Sequence, residues 1–109
     1  MRKYLKNMAF NVEVPPEVFM ELDDAIYYYE LKSPGLGSRF NSDFLNAIAK
    51  LLKNPFYYSY FKQSYRRISL VTFPYMIIYK IVDNKTVAIL SIVYQGRNPA
   101  FISEKISSE

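Results

Sequence analysis

The 109 residues include no cysteine and no histidine. That removes disulfides, thiolate nucleophiles, imidazole general bases and ordinary zinc sites, and with them the Ser-His-Asp and Cys-His reaction classes. Tryptophan is absent and glycine is scarce, with three residues, and no glycine-rich phosphate-cradling loop is found. No apolar run reaches the roughly 18 residues that span a bilayer. The segment from Met1 to Asn7 is basic, but Glu13, Pro15 and Pro16 fall where a signal peptide would carry its apolar stretch. A cytoplasmic chain that needs no cofactor or metal and has no membrane partner is the expectation.

What is present fits one domain. A chain of 12.8 kDa with 50% hydrophobic and 22% charged residues can bury enough apolar surface to fold alone. Eleven tyrosines and eight phenylalanines exceed what a small core requires, so some should face a partner. The net charge of +4 conceals a division along the chain. From Ala9 to Ala49 seven acids stand against Lys32 and Arg39; from Lys50 to Arg97 eight bases stand against Asp83 alone. A basic half attracts phosphates or acidic peptides.

Phe10 to Val14 alternates apolar and polar residues and stops at Pro15-Pro16, which predicts a short strand. Val18, Leu22, Ala25, Ile26 and Tyr29 then recur at helical spacing, predicting a helix that begins near Pro16 and ends near Lys32. Ser33-Pro34 reads as the cap and first residue of a second helix, with Gly35 and Gly37 weakening its opening turn. Its apolar stripe runs through Leu36, Phe40, Phe44, Ile48, Leu51 and Leu52 to Asn54-Pro55. Tyr65 to Val71, Tyr75 to Val82 and Thr86 to Val93 are rich in β-branched and aromatic residues, predicting three antiparallel strands. The middle one is apolar on both faces except at Lys80, so it is either covered twice or offers a face to a partner. The aromatic connection from Phe56 to Phe61 is expected to pack along the surface. The layout is α+β, in the order β-α-α-β-β-β, with a helical hairpin on a mainly antiparallel sheet.

The ordered set Tyr65-Arg66-Arg67, Phe73-Pro74-Tyr75, an apolar strand closing on Tyr79, a turn at Asp83-Asn84 and Arg97-Asn98-Pro99 resembles the plasmid-stabilisation toxins of the RelE/ParE superfamily. Ser33-Pro34 before the second helix and Asn54-Pro55 after it fit the same pattern. The likeness covers residues 10–101, with Met8 as the natural start and residues 1–7 an upstream extension. It implies the toxin of a toxin–antitoxin module, held inactive by a cognate acidic antitoxin. Tyr28, Met76 and Ile78 are the candidate antitoxin contacts. A basic sheet and an apolar strand face suit an acidic segment that folds on binding.

Within the superfamily one branch cleaves messenger RNA on the ribosome and the ParE branch inhibits DNA gyrase. Cleavage without histidine or metal would need Lys or Arg to stabilise the phosphorane and a Tyr or base to move the proton. Arg66 and Arg97 match basic positions of the nuclease branch. Ile68, Met76 and the segment Phe101-Ile102-Ser103 occupy positions where that branch has basic residues or a tyrosine. The resemblance therefore favours ParE-like binding of gyrase. The alternatives are an endoribonuclease using Arg66, Arg97 and Tyr94, or a degenerate binding module without toxicity. Target or nucleic-acid contacts are assigned to Lys62, Arg66, Arg67, Lys80 and Arg97, which the functional reading requires on one side of the molecule.

Each residue has a plainer reading beside it. Arg66 and Arg67 point to opposite faces of one strand, Arg97 could anchor a loop through carbonyls, and Tyr94 could be a half-buried aromatic. One of Tyr27, Tyr28 and Tyr29 belongs to the core. Glu21, Asp23 and Asp24 read as a solvated helix face, not a cation site.

Overall fold

A computed structural model describes residues 10–95; the proposed extension of residues 1–7, Arg97 and Phe101 lie outside them. Strand β1 (Asn11–Glu13) stops short of Pro15 and Pro16, which cannot donate to a ladder. Pro16 instead opens helix α1 (Pro16–Lys32), where its missing N–H is harmless and Glu17 sits in the positive first turn. Val18, Leu22 and Ala25 bury its inner stripe.

Helix α2 (Leu36–Lys53) follows after three residues. The junction departs from expectation: Ser33 closes α1, its N–H donating to the Tyr29 carbonyl, and Gly35 at φ 88° precedes α2. The α2 cap comes from α1. Both Glu30 carboxylate oxygens accept from the Gly35 N–H at 3.1 Å, and Oε1 also accepts from the Gly37 N–H. Gly37 has a second role, since a Cβ there would lie 2.5 Å from the Ile26 carbonyl oxygen. Glycine lets the two helices close on each other.

The remaining strands are β2 (Tyr60–Lys62), β3 (Tyr65–Ser69), β4 (Tyr75–Asp83) and β5 (Thr86–Tyr94), in the sheet order β1-β5-β4-β3-β2. β1 pairs with β5 in parallel and the other pairs are antiparallel. The α+β layout and the helical hairpin are as expected, while β2 is an addition. The end of the aromatic connection forms an edge strand, with Gln63 at φ 52° turning the chain into β3. Tyrosine and phenylalanine suit such a pleated edge.

β4 is covered on both faces. Ile77 and Tyr79 join Phe40, Phe44, Leu51 and Ile89 in the main core beneath the helices; Met76 and Ile78 join Tyr65, Leu90 and Val93 in a second cluster that, among the described residues, includes none from α1 or α2. Asp43, 6% exposed on α2, accepts the N–H groups of Val71, Thr72 and Phe73 at 2.9–3.2 Å. It thereby fixes the β3–β4 turn, a role its place in the sequence did not announce.

Candidate functional site

The segment between α2 and β2 is held carbonyl by carbonyl. Tyr79, fully buried, donates its hydroxyl to the Pro55 oxygen at 2.6 Å. Arg66 Nη1 donates to the Phe56 and Tyr58 carbonyls at 3.2 and 2.7 Å, and Nη2 donates to the Tyr60 hydroxyl at 3.0 Å. The guanidinium also lies 4.0 Å from the Tyr60 ring centre, a cation–π contact that favours Arg over Lys. The Arg67 N–H closes the set on the Ser59 carbonyl at 3.1 Å. Burial pushes the Tyr79 phenol from 10.0 to about 12, against the pull of Arg66. At neutral pH it is a protonated donor.

This clamp sets one wall of an open cavity of about 560 Å³ lined by Tyr57, Tyr58, Ser59, Arg67 and Ser69, with Lys50 from the last turn of α2 on the other side. Lys50, Arg67 and two tyrosines line it, Lys50 from the helix side and Arg67 from the strand, where its side chain turns to the other face. Such a surface suits phosphate or carboxylate groups flanked by planar rings. Lys50, Tyr57 and Tyr58 were not singled out in the sequence. The readable signal was a basic last helical turn followed by paired tyrosines; its closeness to Arg67 depends on how β3 returns along the edge.

Among the described residues Arg66 leaves the expected basic patch, while Arg67 and Lys80 share one face of the sheet. Residues paired directly across an antiparallel ladder share a face. Arg66 pairs with Tyr79 and so lies on the helix side, while Arg67 pairs with Ile78 on the other. Arg66 is committed to its loop, so it is a positioning residue for the cavity wall. Lys80 lies 5.7 Å from the Tyr65 ring centre and lines a different cavity, of about 270 Å³, with Glu17 and Pro15. Lys62 is exposed on β2. Met76 and Ile78 are 7% and 0% exposed, so neither offers the open face assigned to it, because both sides of β4 are covered.

Tyr94 stands apart from the Arg66 clamp. Its ring centre is 5.5 Å from that of Tyr75, which lies 4.9 Å from Phe40 and 6.2 Å from Tyr29. Burial and a hydrogen bond with Tyr29 raise the Tyr75 phenol to about 12. Tyr29 is the core member of its triplet, and Tyr28 is 51% exposed. Glu21 corrects another expectation. It accepts from the Ile92 N–H at 2.9 Å and the Ser91 hydroxyl at 3.2 Å, so it is not simply solvated.

Among the described residues no group of acids could hold a metal ion, and no helix is long and apolar enough to cross a membrane. The model of the ParE toxin of the type II toxin–antitoxin system parDE matches residues 12–99. A solved structure of the chromosomal ParDE system from P. aeruginosa is similar at a TM-score of 0.69 and 13% identity, covering 80% of this chain and 97% of that one. A mutant of the E. coli toxin RelE in the free state is similar at 0.56 and 15%, covering 92% and 93%. At these identities the structures speak to the fold. No curated protein sequence matches the chain.

Proposed function

Because the chain belongs to the ParE toxins of type II toxin–antitoxin systems, we propose that it arrests growth by binding DNA gyrase or a related target through the Lys50–Arg67 cavity, and that a cognate acidic antitoxin blocks it. The observation that supports binding over RNA cleavage is the state of Arg66. A catalytic arginine must be free to meet a developing phosphorane charge, and this guanidinium is held by two carbonyls, a hydroxyl and an aromatic face. Tyr94, its proposed partner in proton transfer, lines other cavities with Tyr28 and Tyr75. Ile68 and Met76, where the nuclease branch has basic groups, are buried apolar residues.

The test is induced expression followed by a gyrase supercoiling assay with purified protein. Growth arrest and inhibition are expected from the natural chain, with both lost in Lys50→Glu/Arg67→Glu. Arrest that persists in the double variant rules out the cavity as the target surface. The ribonuclease reading predicts a different result: new 5′ ends on cellular transcripts by primer extension, with gyrase unaffected.

A further inference from the structure

Three tyrosines from three elements enclose a cavity apart from the Lys50–Arg67 site. Tyr75 and Tyr94 pair directly across the β4–β5 ladder and so share a face of the sheet. Tyr75 packs against the core beneath the helices, so that face is the helix side. The two ring centres are 5.5 Å apart with the planes at 70°, an edge-to-face corner. Tyr28 of α1 adds the third ring, and all three line one cavity of about 300 Å³. Tyr28 and Tyr94 are about half exposed, so solvent reaches it.

The charge at this cavity is of one sign. Glu21 and Asp24 line it too, and with Tyr28 they stand at i, i+3 and i+7, one row on the helix. Glu21 is anchored, since its carboxylate accepts from the Ile92 N–H at 2.9 Å and from the Ser91 hydroxyl at 3.2 Å. Those bonds keep its negative charge at the cavity wall. Asp24 is exposed. Lys32 lines the neighbouring cavity instead, and its Nζ lies 4.9 Å from the Tyr28 ring centre. The Tyr28 ring thus already takes a cation from its own helix.

We propose that the cavity between Glu21, Asp24 and the rings of Tyr28, Tyr75 and Tyr94 binds a small aliphatic diammonium ion. Two carboxylates call for a cation, and aromatic faces stabilise an ammonium group while packing against its hydrocarbon chain. A hard metal ion would need about six oxygen ligands, and among the described residues no group of acids could hold one. Two nitrogens match two carboxylates, which a separation of three residues offsets by about 4.5 Å along the helix axis. One ammonium meets the anchored Glu21, the other meets Asp24, and the methylenes between them lie across the rings. Carboxylates accept N–H groups in charge-assisted bonds, so primary ammonium groups are preferred to quaternary ones. This site stands independently of the toxin reading.

The experiment is calorimetric titration of the full chain with putrescine, a four-carbon diamine, beside butylamine, tetramethylammonium and Mg²⁺ as separate probes. Saturable one-site binding of putrescine is expected, at least tenfold tighter than that of any other probe. Asp24→Asn and Tyr94→Leu should each weaken it about tenfold with circular dichroism unchanged; if Tyr94→Leu disturbs the fold, Tyr28→Leu on the helix surface carries the same test. No saturation by putrescine overturns the site. Butylamine binding as tightly as putrescine overturns the pairing of two nitrogens with two carboxylates. Equal binding of Mg²⁺ overturns the cage and reduces the effect to charge screening, and unchanged affinity in Asp24→Asn overturns the assignment to this cavity.

Discussion

The acidic and basic halves of the chain use their charges in different ways. In the first half Glu21, Glu30 and Asp43 turn towards backbone N–H groups and accept from Ile92, from Gly35 and Gly37, and from Val71, Thr72 and Phe73. Among the described residues of the second half only Arg66 is drawn inward onto carbonyls, while Lys50, Lys53, Lys62, Arg67 and Lys80 remain exposed. The difference follows from geometry: a carboxylate is short and accepts only, so it suits helix starts and turns with orphaned donors. Charge counted along the sequence therefore overstates the acidity of the surface. Three carboxylates are taken up by the fold, and the basic side chains face the outside with less opposition than the formal total suggests.

The strongest way to break the contrast is at Asp43. Asp43→Ala strands three N–H groups of the β3–β4 turn, two of them part-buried and one buried. Charge-assisted bonds of this kind are among the stronger ones. A loss of about 3–4 kcal/mol is expected in urea unfolding, and Asp43→Asn should recover part of it by keeping one acceptor oxygen. A change below about 1 kcal/mol would mean that water replaces the carboxylate and that the acid is ornamental.

The basic half contributes the next effect through a neutral group. Tyr79 has its phenol raised to about 12 by burial, whereas in the unfolded chain it titrates near 10. The unfolded state then binds fewer protons than the folded state between those values, so stability falls as pH rises, by roughly 1.4 kcal/mol per unit, and is unaffected below pH 10. Tyr79→Phe should remove its share of this alkaline slope and leave that of Tyr75, also raised to about 12. It should also lower stability at pH 7 by about 1 kcal/mol, because the Pro55 carbonyl loses its donor.

Arg66 and Arg67 then separate anchoring from binding within two adjacent residues. Arg66→Ala should cost about 2 kcal/mol, because two carbonyls lose a charged donor and the Tyr60 ring loses its cation. Arg67→Ala, exposed, should change stability by less than about 0.5 kcal/mol but weaken target binding. Equal stability changes in the two would dissolve the distinction.

Much of the fold was legible because it rests on periodicity. Both helices and the three long strands follow from apolar spacing and from Pro15-Pro16, Asn54-Pro55 and Phe73-Pro74. The short β2 was not legible, since Tyr60–Lys62 carries no alternation long enough to read and its pairing depends on Arg66 and Tyr65 coming back beside it. The site was legible only in part. Arg67 was named, but Lys50 and Tyr57 join it through tertiary placement, and Arg66 was given chemistry because one sequence cannot show that its neighbours are loop carbonyls. Met76 and Ile78 were read as open because an apolar strand looks alike whether a partner or its own chain covers it.

The smallest effect tests whether caps are local. Ser33 carries the usual side chain for a helix start and sits beside a proline, yet α2 begins after Gly35, and the donors of its first turn are met by Glu30 from the preceding helix. The reason is the close helix crossing at Gly37, which brings the end of α1 against the start of α2 and sets the Glu30 carboxylate on those donors. Glu30→Gln keeps the length and one acceptor but removes the negative charge from the positive end of α2, so about 0.5–1 kcal/mol should be lost at low salt. Ser33→Ala should cost less. If Ser33→Ala proves the more damaging of the two in urea unfolding, the cap is local after all and the acidic half gives up one of its three structural carboxylates.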